Sequence, residues 1–218
     1  PDRNPPLLGG SSRLETVEKQ ARILPLINFY RVRGHVLSDL DPLGVDTPPY
    51  HGELDPATFG YTLWDLDRKF VTNGLAGRDH ATLREILEVL RQTYCGKVGA
   101  EYMNIQDPEQ KKWLMDRMES CRNRATLSVE DKTRALAKLV EAESFEKFLH
   151  AKYVGHKRFS LEGGEAAIPL MTRLLDRAAG FGIEAAVIGM SHRGRLTLLT
   201  SVVGKPVSQI FAEFEDAF

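Results

Sequence analysis

Apolar residues recur at close to a helical period from Arg13 onward: Leu14, Val17, Ala21, Leu24 and Ile27, followed by Phe29 and Tyr30. This spacing predicts a helix that runs on to Val36-Leu37 and stops around Asp41-Pro42-Leu43-Gly44, with Pro25 expected to kink or split it. A second helix is predicted over 81–94, where Leu83, Ile86, Leu87 and Leu90 share a face. Asp107 followed by Pro108 reads as an N-cap with proline at the first helical position, so a third helix carries Trp113, Leu114 and Met118. Ser128 with Asp131 three residues later resembles a capping box and opens a fourth helix toward Phe145, Phe148 and Leu149. Between the first two helices, Pro42, Pro48, Pro49 and Pro56 with three glycines predict an extended connection wrapped over other elements. Trp64 and Trp113 are expected to be core or interface anchors.

The pattern changes near 153–160. A helix is predicted over 164–180, bent by Pro169, then a strand over 185–190 and helices over 195–203 and 207–216. Ala185-Ala186-Val187-Ile188-Gly189-Met190 is uncharged and β-branched at its centre, which predicts a buried, parallel strand. One βα unit cannot bury both faces of such a strand. The chain is therefore expected to be a piece of a longer protein, or to dock its C-terminal segment on something else. The fold class expected is α/β, with 1–12 as a linker or disordered end, 13–152 as a mainly helical N-terminal region and 153–218 as the incomplete start of a parallel-sheet domain.

Composition narrows the function classes. The chain has 218 residues, and its 42% hydrophobic and 27% charged content is ordinary for a globular domain. A net charge of -1 lends no support to nucleic-acid binding. No apolar run approaches the roughly 20 residues of a membrane span, so no membrane partner is expected. Two cysteines without metal-type spacing and no visible secretory signal point to a reduced, cytoplasmic protein.

The candidate chemistry lies at Ser191-His192-Arg193-Gly194-Arg195-Leu196. This segment falls on a predicted strand-to-helix turn, the place where open α/β sheets bind ligands. One imidazole and two guanidinium groups at a helix start suit phosphate or carboxylate. A solvated turn is the competing reading. Gly194 either lets the backbone approach a bulky anion or permits a tight turn. Lys157-Arg158-Phe159-Ser160-Leu161-Glu162-Gly163-Gly164-Glu165 is the second candidate, where Arg158 either binds an anion or pairs with Glu162 or Glu165. Lys147, His150 and Lys152 are expected to complement a helix C-terminus. His35 with Asp39 and Asp41 reads as a salt-bridged surface before it reads as a metal site. Neither a Walker A sequence nor G-x-G-x-x-G is present.

Several segments together resemble one family. Tyr30-Arg-Val-Arg-Gly-His35, Asp39-Leu-Asp-Pro-Leu-Gly44, Gly60-Tyr-Thr-Leu-Trp-Asp-Leu-Asp67, Glu101-Tyr-Met103, Lys157-Arg-Phe-Ser-Leu-Glu-Gly-Gly164 and His192-Arg-Gly-Arg-Leu196 occur in the order found in the thiamine-diphosphate-dependent E1 component of the 2-oxoglutarate dehydrogenase complex. The Gly-Tyr-Thr-Leu-Trp-Asp-Leu-Asp form is similar to the actinobacterial-type dehydrogenase/decarboxylase. The resemblance covers almost everything after residue 13.

It implies that 153–218 begins a thiamine-diphosphate-binding domain. It further implies that His192 is catalytic and contacts the 2-oxoacid and that Arg195 reaches the cofactor through its diphosphate; Arg158, on the anion-binding reading of its own segment, is a further candidate substrate contact. The implied reaction is oxidative decarboxylation of 2-oxoglutarate, with succinyl transfer to a lipoyl-bearing E2 dihydrolipoyl succinyltransferase in the citric acid cycle. The implied cofactors are thiamine diphosphate and Mg2+, and the implied assembly is a homodimer. A longer 2-oxoacid such as 2-oxoadipate is the alternative substrate, and a non-catalytic docking fragment the alternative role.

Two departures stand out. Thr197 replaces the family's Asn. The Gly-Asp-Gly…Asn motif for magnesium and diphosphate and the Lys-Tyr-His histidine are absent, so metal ligands are expected outside these residues and the chain alone is expected not to decarboxylate.

Overall fold

A computed structural model describes residues 13–45 and 49–215. The reading of 1–12 as a linker falls outside the described residues. The chain divides into two compact units, 1–125 and 126–218. The division falls inside the stretch 13–152 read above as one helical region. The reason is that the fourth helix packs against the helices that follow it.

In the first unit, α1 (Arg13–Arg33) lies against α2 (Leu83–Tyr94). Ile23, Leu26, Ile27 and Tyr30 form the buried stripe of α1, at i, i+3, i+4 and i+7, facing Leu83, Ile86, Leu90 and Tyr94 of α2. Leu14, Val17 and Leu24, which suggested the period, are exposed. The helix runs unbroken through Pro25. Where α1 gives way to a 3-10 turn, a Cβ on Gly34 would sit 2.5 Å from the Tyr94 Cβ, so only glycine permits this approach of the two helices.

A short hairpin escaped the periodicity reading. Strand β1 (Lys69–Val71) pairs antiparallel with β2 (His80–Thr82), with Phe70 opposite Ala81. Three-residue strands are too short to show alternation. Helix α2 then starts at a reciprocal box: Thr82 accepts from Glu85 N, and the Glu85 carboxylate accepts from Thr82 N. Helix α3 (Pro108–Cys121) begins as expected, with Asp107 accepting from Glu109 N and Gln110 N.

Among its described residues the unit buries two carboxylates. Glu119 of α3 is buried and accepts from Arg31 Nε at 2.7 Å, Arg31 Nη2 at 3.1 Å, Tyr94 OH at 2.8 Å and Ala76 N at 3.2 Å. Tyr102 completes the network through the Tyr94 hydroxyl. Asp65 accepts twice from Lys19 Nζ, at 2.7 and 2.9 Å, and from Thr62 N and Oγ1. Burial opposes the charge on Asp65, but these donors outweigh it and hold the carboxyl below its ordinary range. This turn narrows one expectation: drawing Asp65 inward leaves Trp64 94% exposed, and Trp113 is 58% exposed, so of the core and interface roles expected for the two indoles the core role falls away. His35, Asp39 and Asp41 are engaged separately, by Glu101, Lys97 and the backbone N–H groups of Leu43 and Val45.

In the second unit, α4 (Val129–Lys152), α5 (Ala167–Gly180) and α6 (Arg195–Ser201) surround a small core of Ala142, Leu161 and Ile168 with Leu198 and Val202, while α7 (Val207–Glu215) places Phe211 against Phe148 and Tyr153 at the end of α4. Ser128 caps α4 through Asp131 N. Pro169 is the third residue of α5, within the first turn, where its missing N–H costs no helical bond, and the helix is not broken. Asp131 binds Arg173 of α5 through two oxygens, at 2.6 and 3.1 Å.

The expected strand over 185–190 is not formed. The segment is almost wholly exposed, with Val187 fully so, and among the described residues nothing pairs with it. A parallel strand exists only through neighbouring strands and covering helices, and among the described residues of this unit there is no other strand to supply them. Among the described residues the fold is thus mainly helical, with one two-stranded antiparallel sheet in place of the expected parallel one. No helix among the described residues is long and apolar enough to cross a membrane.

Candidate functional site

The two segments singled out in the second unit meet. The N–H of Gly194 donates to the Phe159 carbonyl, and Arg193 Nη2 donates to the Glu162 carbonyl. The His192 ring rests 5.1 Å from the Phe159 ring, inclined at 49°. Phe159 holds φ at 49°, a left-handed conformation that costs a bulky residue about 1–3 kcal/mol and persists only where its surroundings impose it.

Gly194 has φ 71°, and a Cβ there would lie 2.4 Å from Leu161 Cδ1. Its lack of a side chain permits both this left-handed turn and the close packing against the loop. Helix α6 starts at Arg195 and has seven residues.

His192 and Arg195 are exposed; Arg195 N donates to the His192 carbonyl, but neither side chain makes a hydrogen bond or ion pair among the described residues. The turn is therefore clamped through its backbone, Arg193 and the face of one ring. The imidazole nitrogens and the Arg195 guanidinium remain open for a ligand. Arg158 lies elsewhere, in a cleft of about 400 Å3 that neither His192 nor Arg195 lines. It forms no ion pair with Glu162 or Glu165 among the described residues, although both carboxylates line the same cleft with Glu143 and Glu146. Its surroundings are rich in carboxylates. At the end of α4, Lys152 pairs with Glu215 at 3.5 Å and Lys147 with Glu143 at 2.7 Å.

One side chain that ties the two segments together was missed. Glu146 of α4 accepts from Leu161 N at 2.7 Å, Thr197 Oγ1 at 2.6 Å and Ser160 Oγ. Thr197, the departure from the family pattern, is buried and spends its hydroxyl here. The available signal was Glu146 falling between Ala142 and Leu149 at i, i+4 and i+7, a carboxylate set in a buried stripe.

The donor set suits an anion: an imidazole and a guanidinium, both uncommitted, three residues apart on one turn. It fits the diphosphate or carboxylate end of a ligand. Among the described residues no three His, Cys, Asp or Glu side chains are grouped to hold a metal ion.

No protein-family model matches the chain. It is 51% identical over 200 residues to the multifunctional 2-oxoglutarate metabolism enzyme of Mycolicibacterium vanbaalenii. It is 50% identical over 200 residues to the enzyme of that name from a Mycobacterium species, and 49% identical over 203 residues to the 2-oxoglutarate dehydrogenase E1/E2 component of Corynebacterium glutamicum. Each match takes in 91% of this chain, which spans 16% of the length of those relatives. The chain is thus homologous, over nine-tenths of its length, to a segment of these 2-oxoglutarate enzymes.

Proposed function

We propose that this chain, as the homologue of a segment of 2-oxoglutarate metabolism enzymes, supplies one wall of a thiamine-diphosphate-dependent E1 active site that decarboxylates 2-oxoglutarate. The observation that carries the reading is the clamped turn at 192–195, which spends Arg193 on the loop and leaves the side chains of His192 and Arg195 without a hydrogen-bond partner among the described residues. When bound, thiamine diphosphate supplies the electron sink for loss of CO2. His192 donates to the substrate's 2-oxo oxygen or its distal carboxylate. Its ring, held against Phe159, enters that bond with little orientational freedom left to lose. Arg195 faces the diphosphate and offsets its charge. Arg158 is the weaker substrate contact, since it must act across a carboxylate-rich cleft. Magnesium is held by ligands outside these residues.

The whole protein, on this reading, is a cytoplasmic homodimer that passes its succinyl group to a lipoyl-bearing E2 acyltransferase. These 218 residues alone do not turn over. The test is His192→Ala in the whole enzyme, with dimer state measured alongside. Turnover of 2-oxoglutarate falls by about 10²–10⁴-fold with the dimer intact. Unchanged turnover refutes the assignment.

A further inference from the structure

We infer that Glu146 is a positioning residue for this site, holding the His192 turn and helix α6 in register through one carboxylate; this rests on the functional reading above. Oxygen Oε1 of Glu146 accepts both Leu161 N at 2.7 Å and Thr197 Oγ1 at 2.6 Å, while Oε2 accepts Ser160 Oγ. One atom therefore joins the 159–164 loop to α6, and both to the C-terminal part of the long helix α4. The turn bearing His192 takes its place from that same loop, through Gly194 N on the Phe159 carbonyl, Arg193 on the Glu162 carbonyl and His192 on the Phe159 ring.

Among the described residues, every hydrogen bond from this loop to α4 ends on Glu146. Charge-assisted bonds of this kind are short and directional, so the carboxylate fixes position as well as adding stability. Without it, the loop still holds the turn that opens α6 through Gly194 N and Arg193, but the body of α6 meets the loop only through apolar packing such as Leu198 against the Leu161 cluster, which limits approach but does not set direction.

The experiment compares Glu146→Ala, Glu146→Gln, Thr197→Val and His192→Ala in the whole enzyme, with thiamine diphosphate, magnesium and 2-oxoglutarate. It records kcat, KM and hydrogen exchange of peptides covering 159–164 and 191–197. Glu146→Ala lowers kcat by about 10–100-fold, the range expected for small misplacement of a reacting group, and leaves KM nearly unchanged. Exchange rises in both segments. Glu146→Gln keeps an oxygen for Leu161 N and Thr197 and offers its amide to Ser160, and it restores most of kcat. Thr197→Val removes one bond without changing shape, lowers kcat less, and raises exchange in 191–197.

Wild-type kcat in both Glu146→Ala and Thr197→Val overturns the inference. So does a rise in exchange confined to 159–164, or a Glu146→Gln variant as impaired as Glu146→Ala. Should Glu146→Ala fail to fold, Thr197→Val with Glu146→Gln decides on the same criteria. If His192→Ala itself leaves turnover unchanged, the functional reading has failed. If His192→Ala abolishes turnover while the Glu146 and Thr197 variants behave as wild type, only the positioning role has failed.

Discussion

Replacing Gly194 by alanine separates a glycine that serves packing from one that serves ligand approach. Two costs follow from the structure. The backbone there has φ 71°, and an alanine held in the left-handed region loses about 1–2 kcal/mol relative to its preferred conformation. The new methyl group would also lie 2.4 Å from Leu161 Cδ1 and 3.1 Å from Leu161 Cβ and Cγ, well inside van der Waals contact. Leu161 cannot swing clear easily. Its side chain is buried with Ala142 and Ile168, and its N–H is held by Glu146. Overpacking of this kind costs about 1–3 kcal/mol, so the substitution destabilises the second unit by about 2–5 kcal/mol in all.

Urea unfolding of the chain, followed by circular dichroism, measures this as a shift in midpoint at constant slope. Leu161→Ala costs about 2–5 kcal/mol alone through the cavity it opens. Combined with Gly194→Ala it costs less than the sum, because the shortened side chain makes room for the methyl, while the backbone cost remains. A Gly194→Ala variant within about 0.5 kcal/mol of wild type, the range of an inert surface change, would refute the packing argument and return Gly194 to the role of a ligand-approach glycine.

Two further outcomes concern the first unit. Glu119→Leu strands the Arg31 guanidinium, and the loss of one member of a buried ion pair costs about 3–5 kcal/mol in urea unfolding. Arg31→Met added to it restores part of that loss, and strict additivity of the two substitutions would contradict the network. The Asp65 carboxyl is held below its ordinary range, so the stability it contributes is present above about pH 4 and is lost as pH falls through the lower folded value. The stability difference between wild type and Asp65→Asn therefore shrinks as pH is lowered from 6 toward 3; a difference that stays constant over that range would show that the Lys19–Asp65 pair contributes nothing.

Local physics made much of the fold legible in the sequence. Asp107 before Pro108 and Ser128 before Asp131 mark helix starts because an orphan N–H is satisfied by a side chain two or three residues away. The order of short motifs from Tyr30 to Leu196 carried the resemblance, and the homology over 91% of the chain agrees with it. Both candidate segments of the second unit were visible as well, since glycines and cations cluster there against the composition around them.

What only the tertiary structure decided involves partners far apart in the chain. Lys19 and Asp65 are 46 residues apart and Arg31 and Glu119 are 88, so no window of periodicity shows that these charges are buried together. The outward face of Trp64 follows from the inward pull on Asp65. Glu146 reads as one more polar residue on a helix until the chain brings Leu161 and Thr197 to the same oxygen. The run at 185–190 has the composition of a buried strand, yet a strand is a relation between segments, and this unit supplies no second one. The sequence by itself determined the helix starts, the motif and its cations, because each depends on neighbours within a few residues. The tertiary structure alone decided which side chains are spent in holding the turn and which, those of His192 and Arg195, are left without a partner among the described residues.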